Sequence, residues 1–142
     1  MYDKDNVFAK ILRGEIPSAK VYEDAHVLSF MDAMPQSDGH TLVIPKTEAR
    51  NLFDIAPAAL AELIKATQYV AKGVQRAFQP DGMRLIQFNE PPAGQTVFHI
   101  HFHIVPCYAG KEVRMHAREF AVRAVLAEHA EKIRAGLATV PR

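Results

Sequence analysis

Three histidines at every second position are the most chemically distinctive feature of the sequence. His99, His101 and His103 lie in the stretch GQTVFHIHFHIVP, residues 94–106. Successive side chains of a β-strand point to opposite faces, so a strand here places all three imidazoles on one face. Imidazole titrates near neutral pH and serves as a nucleophile, a proton carrier or a metal ligand. The opposite face holds apolar side chains that are expected to pack beneath a helix: Ile100, Phe102 and Ile104.

Three interpretations compete for this histidine face. The first is a solvated strand that happens to be rich in histidine. The second is a metal site, but a rise of about 3.3 Å per residue separates His99 from His103 by roughly 13 Å, whereas a zinc–nitrogen bond is about 2.0 Å. A shared ion would therefore need a ligand from elsewhere in the chain, with three candidates: His40, Glu90 or Asp32.

The third interpretation is nucleophilic or acid–base chemistry at phosphorus. A histidine that attacks phosphorus needs an acceptor, such as a backbone carbonyl, on its other nitrogen, and it needs donors for the phosphate oxygens. The loop directly before the histidines contains Gly94, which permits close backbone approach. Gln95 and Thr96 add side-chain donors and backbone amides. This combination favours the third interpretation.

The elements that must position these residues follow from hydrophobic patterning. A short N-terminal helix is predicted over DNVFAKILRG, with Asp5 or Asn6 as its cap, and a long central helix over DIAPAALAELIKATQYVAKGVQRAF. A further helical pattern follows Lys111. Strand patterns cover five segments: Val21–Tyr22, Val27–Met31, HTLVIP, MRLIQFNE and TVFHIHFHIVP. Because strands mostly follow strands, we expect an α+β fold with about five strands in an antiparallel sheet.

Two helical faces are expected to enter the core. On the central helix this stripe comprises Leu60, Leu63, Ile64, Thr67, Ala71, Val74 and Phe78. On the C-terminal helix it comprises Phe120, Ala124, Ala127 and Ile133.

Composition narrows the classes of function. The chain has 142 residues, 49% of them hydrophobic, and its 17 basic and 16 acidic residues give a net charge of +1. This balance argues against a broad nucleic-acid or membrane surface. The single cysteine, Cys107, excludes an internal disulfide and a CxxC zinc motif. With no long apolar run in the sequence, a single cytoplasmic domain is expected.

Several blocks of the sequence resemble the histidine triad (HIT) family. HIHFHIV resembles its signature of three histidines alternating with apolar residues. Further blocks resemble its N-terminal segment, its second signature and its active-site loop: NVFAKILRGEIPSAKVYEDAHVLSFMD, GHTLVIPK and FNEPPAGQTVFHIHFHIVP. The resemblance covers residues from about 6 to 106 and is nearest to the Hint branch and its bacterial relatives. It implies one HIT domain over 1–142, with a C-terminal helical extension over about 111–138.

The resemblance also implies an activity. Members bind purine nucleoside monophosphates and act at the α-phosphate through a nucleotidyl-histidine, as homodimers whose sheets join. A nucleoside phosphoramidase-type hydrolase without a cofactor or a catalytic metal is expected, acting on phosphoramidates or related nucleotides. Two alternatives stay open. One is a dinucleoside polyphosphate hydrolase, with which the Gln95 motif is shared, and the other is a nucleotide-binding regulatory protein with little turnover.

By position in the family motifs, His101 matches the nucleophile, His103 the phosphate-contacting residue, and His99 and His40 the supporting histidines. Asp32 matches the ribose-binding carboxylate, although a strand-end aspartate is equally suited to starting a turn. The phosphate and leaving-group loop is matched by Asn89, Gly94, Gln95 and Thr96. The base pocket is matched by Phe8, Ile11, Ile16, Phe30 and Ala33, most of which periodicity alone would assign to the core. Three histidines match nothing and are expected to be solvated: His26, His116 and His129.

The chain departs from the family pattern at both ends. Many bacterial members carry N-terminal cysteines that bind a structural zinc, but the corresponding stretch here is NVFAKIL, so no such zinc is expected. After the triad, VPCYAGKEVRMHAREF differs from the short C-terminus of the Hint branch, which ends near a tryptophan, and this chain has no tryptophan. Because that C-terminus helps to select the leaving group, the substrate preference stays open.

Overall fold

The computed structural model describes residues 1–114 and 119–141. Within them, three α-helices, five strands and one short 3-10 turn follow the chain order. The helices are α1 (Val7–Leu12), α2 (Pro57–Phe78) and α3 (Arg123–Leu137). The strands are β1 (Lys20–Glu23), β2 (Val27–Met31), β3 (Thr41–Pro45), β4 (Gly82–Ile86) and β5 (Phe102–Cys107), and the 3-10 turn is Pro91–Ala93. No helix in the described residues is long and apolar enough to span a membrane.

All strand pairs are antiparallel, and the sheet has the order β1-β2-β3-β5-β4. The expected α+β fold with a five-stranded antiparallel sheet is confirmed. Helices α2 and α3 pack on one face of the sheet, where they enclose the larger core. A smaller cluster around Phe8, Phe30 and Leu42 lies on the other face with residues of α1.

Local sequence determines where the N-terminal elements begin and end. The side chain of Asn6 accepts a hydrogen bond from the Ala9 amide at 2.9 Å, so it caps α1 as expected. Between β1 and β2, the Asp24 carboxylate accepts from the amides of His26 and Val27 and closes the hairpin turn. These contacts fix α1 and β2, the two elements that carry much of the site.

The alternation of residues 99–104 determines which side chains enter the core. Ile100 and Ile104 are fully buried in the cluster beneath α2, with Phe102 packed against it, which confirms the prediction for these three residues. The predicted strand is too long, however, because β5 begins only at Phe102. Upstream, the Ile100 amide donates to the carbonyl of Ala49 at 2.9 Å instead of extending the ladder with β3. Likewise, β4 ends at Ile86 and not at residue 90.

Helix α2 buries a face slightly rotated from the predicted stripe. Its buried residues are Leu63, Ala66, Thr67, Val70, Gly73 and Val74, whereas Ile64 is exposed. The rotation arises because α2 packs against α3 as well as against the sheet. A Cβ atom on Gly73 would lie 2.5 Å from Leu137 Cδ2, and one on Gly136 would lie 2.7 Å from the carbonyl oxygen of Gly73. The two glycines therefore permit the close approach of the helices.

The C-terminal prediction is wrong in its boundary and in its face. Helix α3 begins at Arg123 and buries Leu126, Ala130, Ile133 and Leu137. Of the predicted face only Ile133 enters the core, whereas Phe120 precedes the helix, and Ala124 and Ala127 are exposed. His116 lies outside the described residues. His26 is exposed as expected, while His129 is half-buried with its ring edge on Phe78.

Candidate active site

One cavity of about 680 Å³ lies between α1, the end of β2, the residues before β5 and the start of α3. Its volume is in the range typical of small-molecule sites. Nine of the candidate residues line it: Phe8, Ile11, Ile16, Phe30, Asp32, Ala33, Thr96, His101 and His103. Two others, His40 and His99, are fully buried and support this wall from behind.

The ring of His101 is held by a backbone carbonyl, the contact anticipated from the sequence. Its Nδ1 lies 2.7 Å from the carbonyl oxygen of His99. Since a carbonyl oxygen only accepts hydrogen bonds, Nδ1 must carry the proton, and in the neutral ring the lone pair resides on Nε2. Phe8 packs edge-on against the imidazole, with ring centroids 4.8 Å apart. His101 is thus a buried imidazole in the tautomer required of a nucleophile.

Hydrogen bonds in series determine the tautomer of His103. The Gln36 amide donates to Nδ1 of His40 at 3.0 Å, so the proton of a neutral His40 lies on Nε2. That Nε2 lies 3.0 Å from Nδ1 of His103 and 3.3 Å from Oδ2 of Asp32, and the shorter contact makes His103 the acceptor of its proton. His103 consequently carries its own proton on Nε2. The two adjacent cavity histidines hold opposite tautomers, with His101 presenting a lone pair and His103 presenting a donor.

His99 is fixed from both sides. Its Nε2 donates to the Pro45 carbonyl at 2.8 Å, and its Nδ1 accepts from the Tyr2 hydroxyl at 2.6 Å. Burial lowers the pKa of His99 below the ordinary imidazole range, so the ring stays neutral. The carbonyl of this anchored residue is the one that orients His101.

Asp32 combines a turn contact with a position in the cavity wall. Its Oδ1 accepts from the Met34 amide at 2.8 Å, and its Oδ2 lies 3.3 Å from Nε2 of His40. Burial raises the pKa of Asp32 to about 6, and the bond from the Met34 amide opposes that rise. The group is a carboxylate at neutral pH and a carboxylic acid in mildly acidic solution.

Asp32, His40 and His103 also form a group that has the donor types of a metal site. One ligand atom from each lies within 4.8 Å of the others. The sequence offered three residues as additional ligands for a metal at the three histidines. Two of them, Asp32 and His40, lie next to His103 in the structure. The third, Glu90, is instead held in a two-pronged ion pair with Arg50 at 2.7 and 2.9 Å. The close contact of His40 with His103 is accounted for by the hydrogen bonds described above.

The loop before the triad is braced by side chains that do not face the cavity. Gln95 is buried, donates to the Arg50 carbonyl at 2.7 Å, and accepts from the Glu90 amide at 2.8 Å. Glu90 has φ +77 and ψ 155, a conformation that costs about 1–3 kcal/mol without glycine. The Arg50 ion pair and the Asn51 amide, which donates to the Glu90 carboxylate at 2.6 Å, hold it there.

Three residues of the phosphate-loop set lie outside the cavity wall: Asn89, Gly94 and Gln95. Asn89 accepts from the Leu52 amide at 2.9 Å and pairs with Gln87. Gly94 has φ +110, and a Cβ there would approach the Phe88 ring at 3.2 Å, so glycine is required by the backbone. Thr96 is the member of the set that reaches the cavity.

The base-pocket candidates all line the cavity, and two of them also belong to the hydrophobic core. Phe8 and Phe30 are buried, contact each other edge-to-face at 5.4 Å, and belong to the smaller hydrophobic cluster. They also line the cavity, together with the half-buried Ile11 and Ile16. Phe8 and Phe30 therefore belong both to the hydrophobic core and to the cavity wall.

Comparison with known proteins identifies the family. The HIT domain model matches residues 13–110. The chain belongs to the HIT family. A solved Hit-like protein involved in cell-cycle regulation from Bartonella henselae is 51% identical with a TM-score of 0.91, covering 96% of this chain and 98% of that one.

Two further HIT relatives carry names that bear on chemistry. A hypothetical histidine triad nucleotide-binding protein from Sulfolobus tokodaii is 32% identical, with a TM-score of 0.85 over 92% of this chain and 91% of that one. Adenylylsulfatase HINT3 from Arabidopsis thaliana is 35% identical over 119 residues, which span 80% of this chain and 60% of that protein.

Sequence reasoning missed the groups that orient the histidines. Tyr2 is 97 positions from His99, and Gln36 acts through its backbone amide, a group that every residue except proline possesses. Arg50 and Glu90 are forty residues apart and meet only in the fold. No local pattern marks these contacts.

Proposed function

We propose that this protein is a nucleotide hydrolase or transferase that acts at the α-phosphate of a purine nucleoside phosphoramidate or related nucleotide, with His101 as the nucleophile. The observation that carries the proposal is the 2.7 Å contact between Nδ1 of His101 and the carbonyl of His99. It places the lone pair of a buried, cavity-lining imidazole on Nε2. A neutral imidazole in a fixed orientation is the chemical requirement for attack on phosphorus.

In the first step, Nε2 of His101 forms a bond to the α-phosphorus, and the bond from phosphorus to the leaving group breaks. The bonding electron pair departs with the leaving group, and a leaving amine takes up a proton from the solvent, to which the attacking water of the second step returns one. The Nε2 proton of His103 lies beside the reacting centre, since the two imidazole centroids are 4.8 Å apart. It stabilises a phosphate oxygen as negative charge develops there.

In the second step, water attacks the nucleotidyl-histidine. A new phosphorus–oxygen bond forms while the bond between phosphorus and Nε2 of His101 breaks, and the electron pair returns to the imidazole. The water loses one proton, and the product is a nucleoside monophosphate. The His99 carbonyl remains hydrogen-bonded to Nδ1 throughout, so the ring keeps its orientation for the next turnover.

The rest of the cavity supports nucleotide binding. Asp32 is a carboxylate above pH about 6, and it is placed to accept hydrogen bonds from ribose hydroxyls. Phe8, Phe30 and Ile16 provide an apolar wall for a purine base. Thr96 supplies a hydroxyl at the phosphate end.

The assembly we propose is a homodimer in the cytoplasm. Strand β4 is at an edge of the sheet, and it carries Leu85, which is half exposed. An edge strand with an exposed apolar side chain suits pairing with a second copy, which would join the two sheets. The single cysteine, Cys107, is a free thiol and suits a reducing compartment.

A substrate panel tests the proposal. We would measure release of nucleoside monophosphate from an adenosine phosphoramidate, a dinucleoside polyphosphate and adenylyl sulfate, with wild type, His101→Ala and the control His129→Ala. We expect turnover of the phosphoramidate by wild type and His129→Ala, and near-complete loss in His101→Ala. Full activity of His101→Ala overturns the mechanism.

The same panel separates the alternatives. Preferred cleavage of adenylyl sulfate would match the name of the Arabidopsis relative. Preferred cleavage of the dinucleotide would favour the polyphosphate branch, and tight binding without turnover of any substrate would favour a regulatory protein. Activity lost with a chelator and restored by a divalent metal would contradict a purely histidine-based mechanism and would direct attention to Asp32, His40 and His103.

A further inference from the structure

Residues 119–122, which directly precede α3 and which we call the C-terminal segment, contribute to the wall of the cavity. The Ala121 amide donates to the carbonyl of Ala33 at 2.9 Å, which ties this segment to the residue directly after Asp32. From this segment and the first turns of α3, five residues line the cavity: Phe120, Ala121, Arg123, Leu126 and Ala127.

This segment borders the part of the cavity next to Asp32, because its anchor Ala33 follows Asp32 directly and is one of the base-pocket candidates. The other base-pocket candidates include Phe8 and Phe30, which pack against each other, and Phe8 also contacts His101. A nucleotide with its α-phosphate at His101 and its ribose at Asp32 would therefore hold its base between the wall of Phe8 and Phe30 and the segment tied to Ala33.

Phe120 is the aromatic group of this segment. Its side chain lines the cavity, yet it is 77% exposed. The next residue, Ala121, and its hydrogen-bond partner Ala33 are also wall residues, and both are small. A planar ligand at this end would cover the exposed ring, and stacking of a base on an aromatic side chain is favourable for any base and grows with its area.

We propose that Phe120 is a specificity-determining residue that stacks on the nucleobase and makes the C-terminal segment the outer wall of the base site. The proposal rests on the nucleotide function above and adds the element that selects for the base. It makes a purine nucleotide a better ligand than a pyrimidine nucleotide, because the larger ring covers more of Phe120. The contribution is confined to the base, so a sugar phosphate without a base gains nothing from it.

Calorimetric titration of the full-length protein with adenosine 5′-monophosphate and with ribose 5-phosphate tests this role. The variants are Phe120→Ala, Phe120→Tyr, which retains the ring, and Val122→Ala, a matched truncation at an exposed position outside the cavity wall. We expect Phe120→Ala to weaken binding of the nucleotide by about 5- to 100-fold. Phe120→Tyr and Val122→Ala should bind it as wild type does, and ribose 5-phosphate should bind all four proteins equally.

Each other outcome overturns the role of Phe120. Equal nucleotide affinity in wild type and Phe120→Ala rejects the stacking contact and leaves the nucleotide function intact. An equal loss for the nucleotide and for ribose 5-phosphate indicates a general disturbance of the cavity and also rejects it, as does a comparable loss in Val122→Ala. Failure of the wild-type protein to bind the nucleotide at all rejects the proposed function together with this inference.

Discussion

At the histidine end of the cavity, each imidazole is buried and held by hydrogen bonds of 2.6 to 3.0 Å from groups on four different segments of the chain. At the base end, the wall is mostly of small and apolar side chains, beside Arg123 and an exposed Phe120, and the segment that carries Phe120 is tied by a backbone hydrogen bond to Ala33, just after β2. The first end fixes both the position and the protonation of its groups. The groups at the base end mainly determine the shape of the cavity wall.

The contrast indicates how chemistry and selectivity are divided in this protein. Attack on phosphorus requires one tautomer and a narrow range of orientations, and several directional bonds supply both. Recognition of a base requires area and flatness, which apolar contacts supply with less constraint. Substitutions at the histidine end should therefore change kcat, whereas those at the base end should change binding.

The largest effect is expected from His101→Ala. Loss of the nucleophile should lower kcat by more than about 10³-fold, because a single lost donor at such a site costs about 10² to 10³. Rates with an adenosine phosphoramidate check this, beside His129→Ala, whose half-buried ring lies on Phe78. If His101→Ala retained a tenth of the wild-type rate, the histidine end of the cavity would not control kcat in the way we propose.

His40→Ala should have the next largest effect. Without the Nε2 donor of His40, the Nδ1 atom of His103 is free to hold the proton, and the Nε2 donor to the phosphate is lost. We expect kcat to fall about 10- to 100-fold, as for other groups that orient a reacting side chain, with little change in KM. His40→Gln is the control, since its amide has both an acceptor for the Gln36 amide and a donor for His103. Equal losses of kcat in His40→Ala and His40→Gln would reject the role of the hydrogen bonds that run from Gln36 through His40 to His103.

Asp32 should make ribose binding dependent on pH. Its pKa of about 6 in the ligand-free protein means that the accepting carboxylate is present above that pH and is lost as the pH falls through it. Adenosine affinity should therefore be about 10-fold weaker at pH 5 than at pH 7.5. Calorimetry of wild type beside Asp32→Asn checks this, because the variant should bind weakly and without this pH dependence. A flat wild-type profile would contradict the role of Asp32.

Tyr2→Phe should have the smallest effect. It removes the hydroxyl that donates to Nδ1 of His99 but leaves the bond from Nε2 to Pro45 in place. One such bond contributes about 1 kcal/mol, so we expect kcat to fall about 2- to 10-fold with KM unchanged. The pKa of His99, followed by NMR, should rise because the neutral form loses a donor. Tyr69→Phe, whose hydroxyl donates to the Leu137 carbonyl between α2 and α3, is the control, and an identical change in both variants would exclude a role for Tyr2.

The repeating patterns of the sequence predicted the fold class, whereas most of the candidate site residues came from the resemblance to the HIT family. Strand alternation placed Ile100 and Ile104 in the core, and helical spacing located α2. Helical spacing gave the wrong result for Ile64, because α2 packs against α3 as well as against the sheet, and both neighbours determine which face of α2 is buried. The start of α3 was misjudged for a related reason, because Phe120 lines a cavity and not the core.

The geometry of the site was less accessible from the sequence. A backbone carbonyl was anticipated as the partner of His101, but the residue that supplies it was not. The Tyr2 hydroxyl and the Arg50–Glu90 ion pair act across long sequence separations, and the Gln36 contact with His40, although local, uses a backbone amide that no residue type marks. Such contacts depend on the register of β2, β3 and β5, which residue patterns specify only indirectly.

Mass spectrometry of the protein quenched in acid-free conditions during turnover of an adenosine phosphoramidate tests the nucleophilic role of His101 most directly. We expect a peptide covering residues 94–106 that carries one added adenylyl group, with fragmentation placing the group on His101. His101→Ala should show no adduct. In His103→Ala the adduct should form and be lost more slowly, but it should still be on His101. Steady turnover by wild type with no adduct on His101, or an adduct on another residue, would contradict the mechanism.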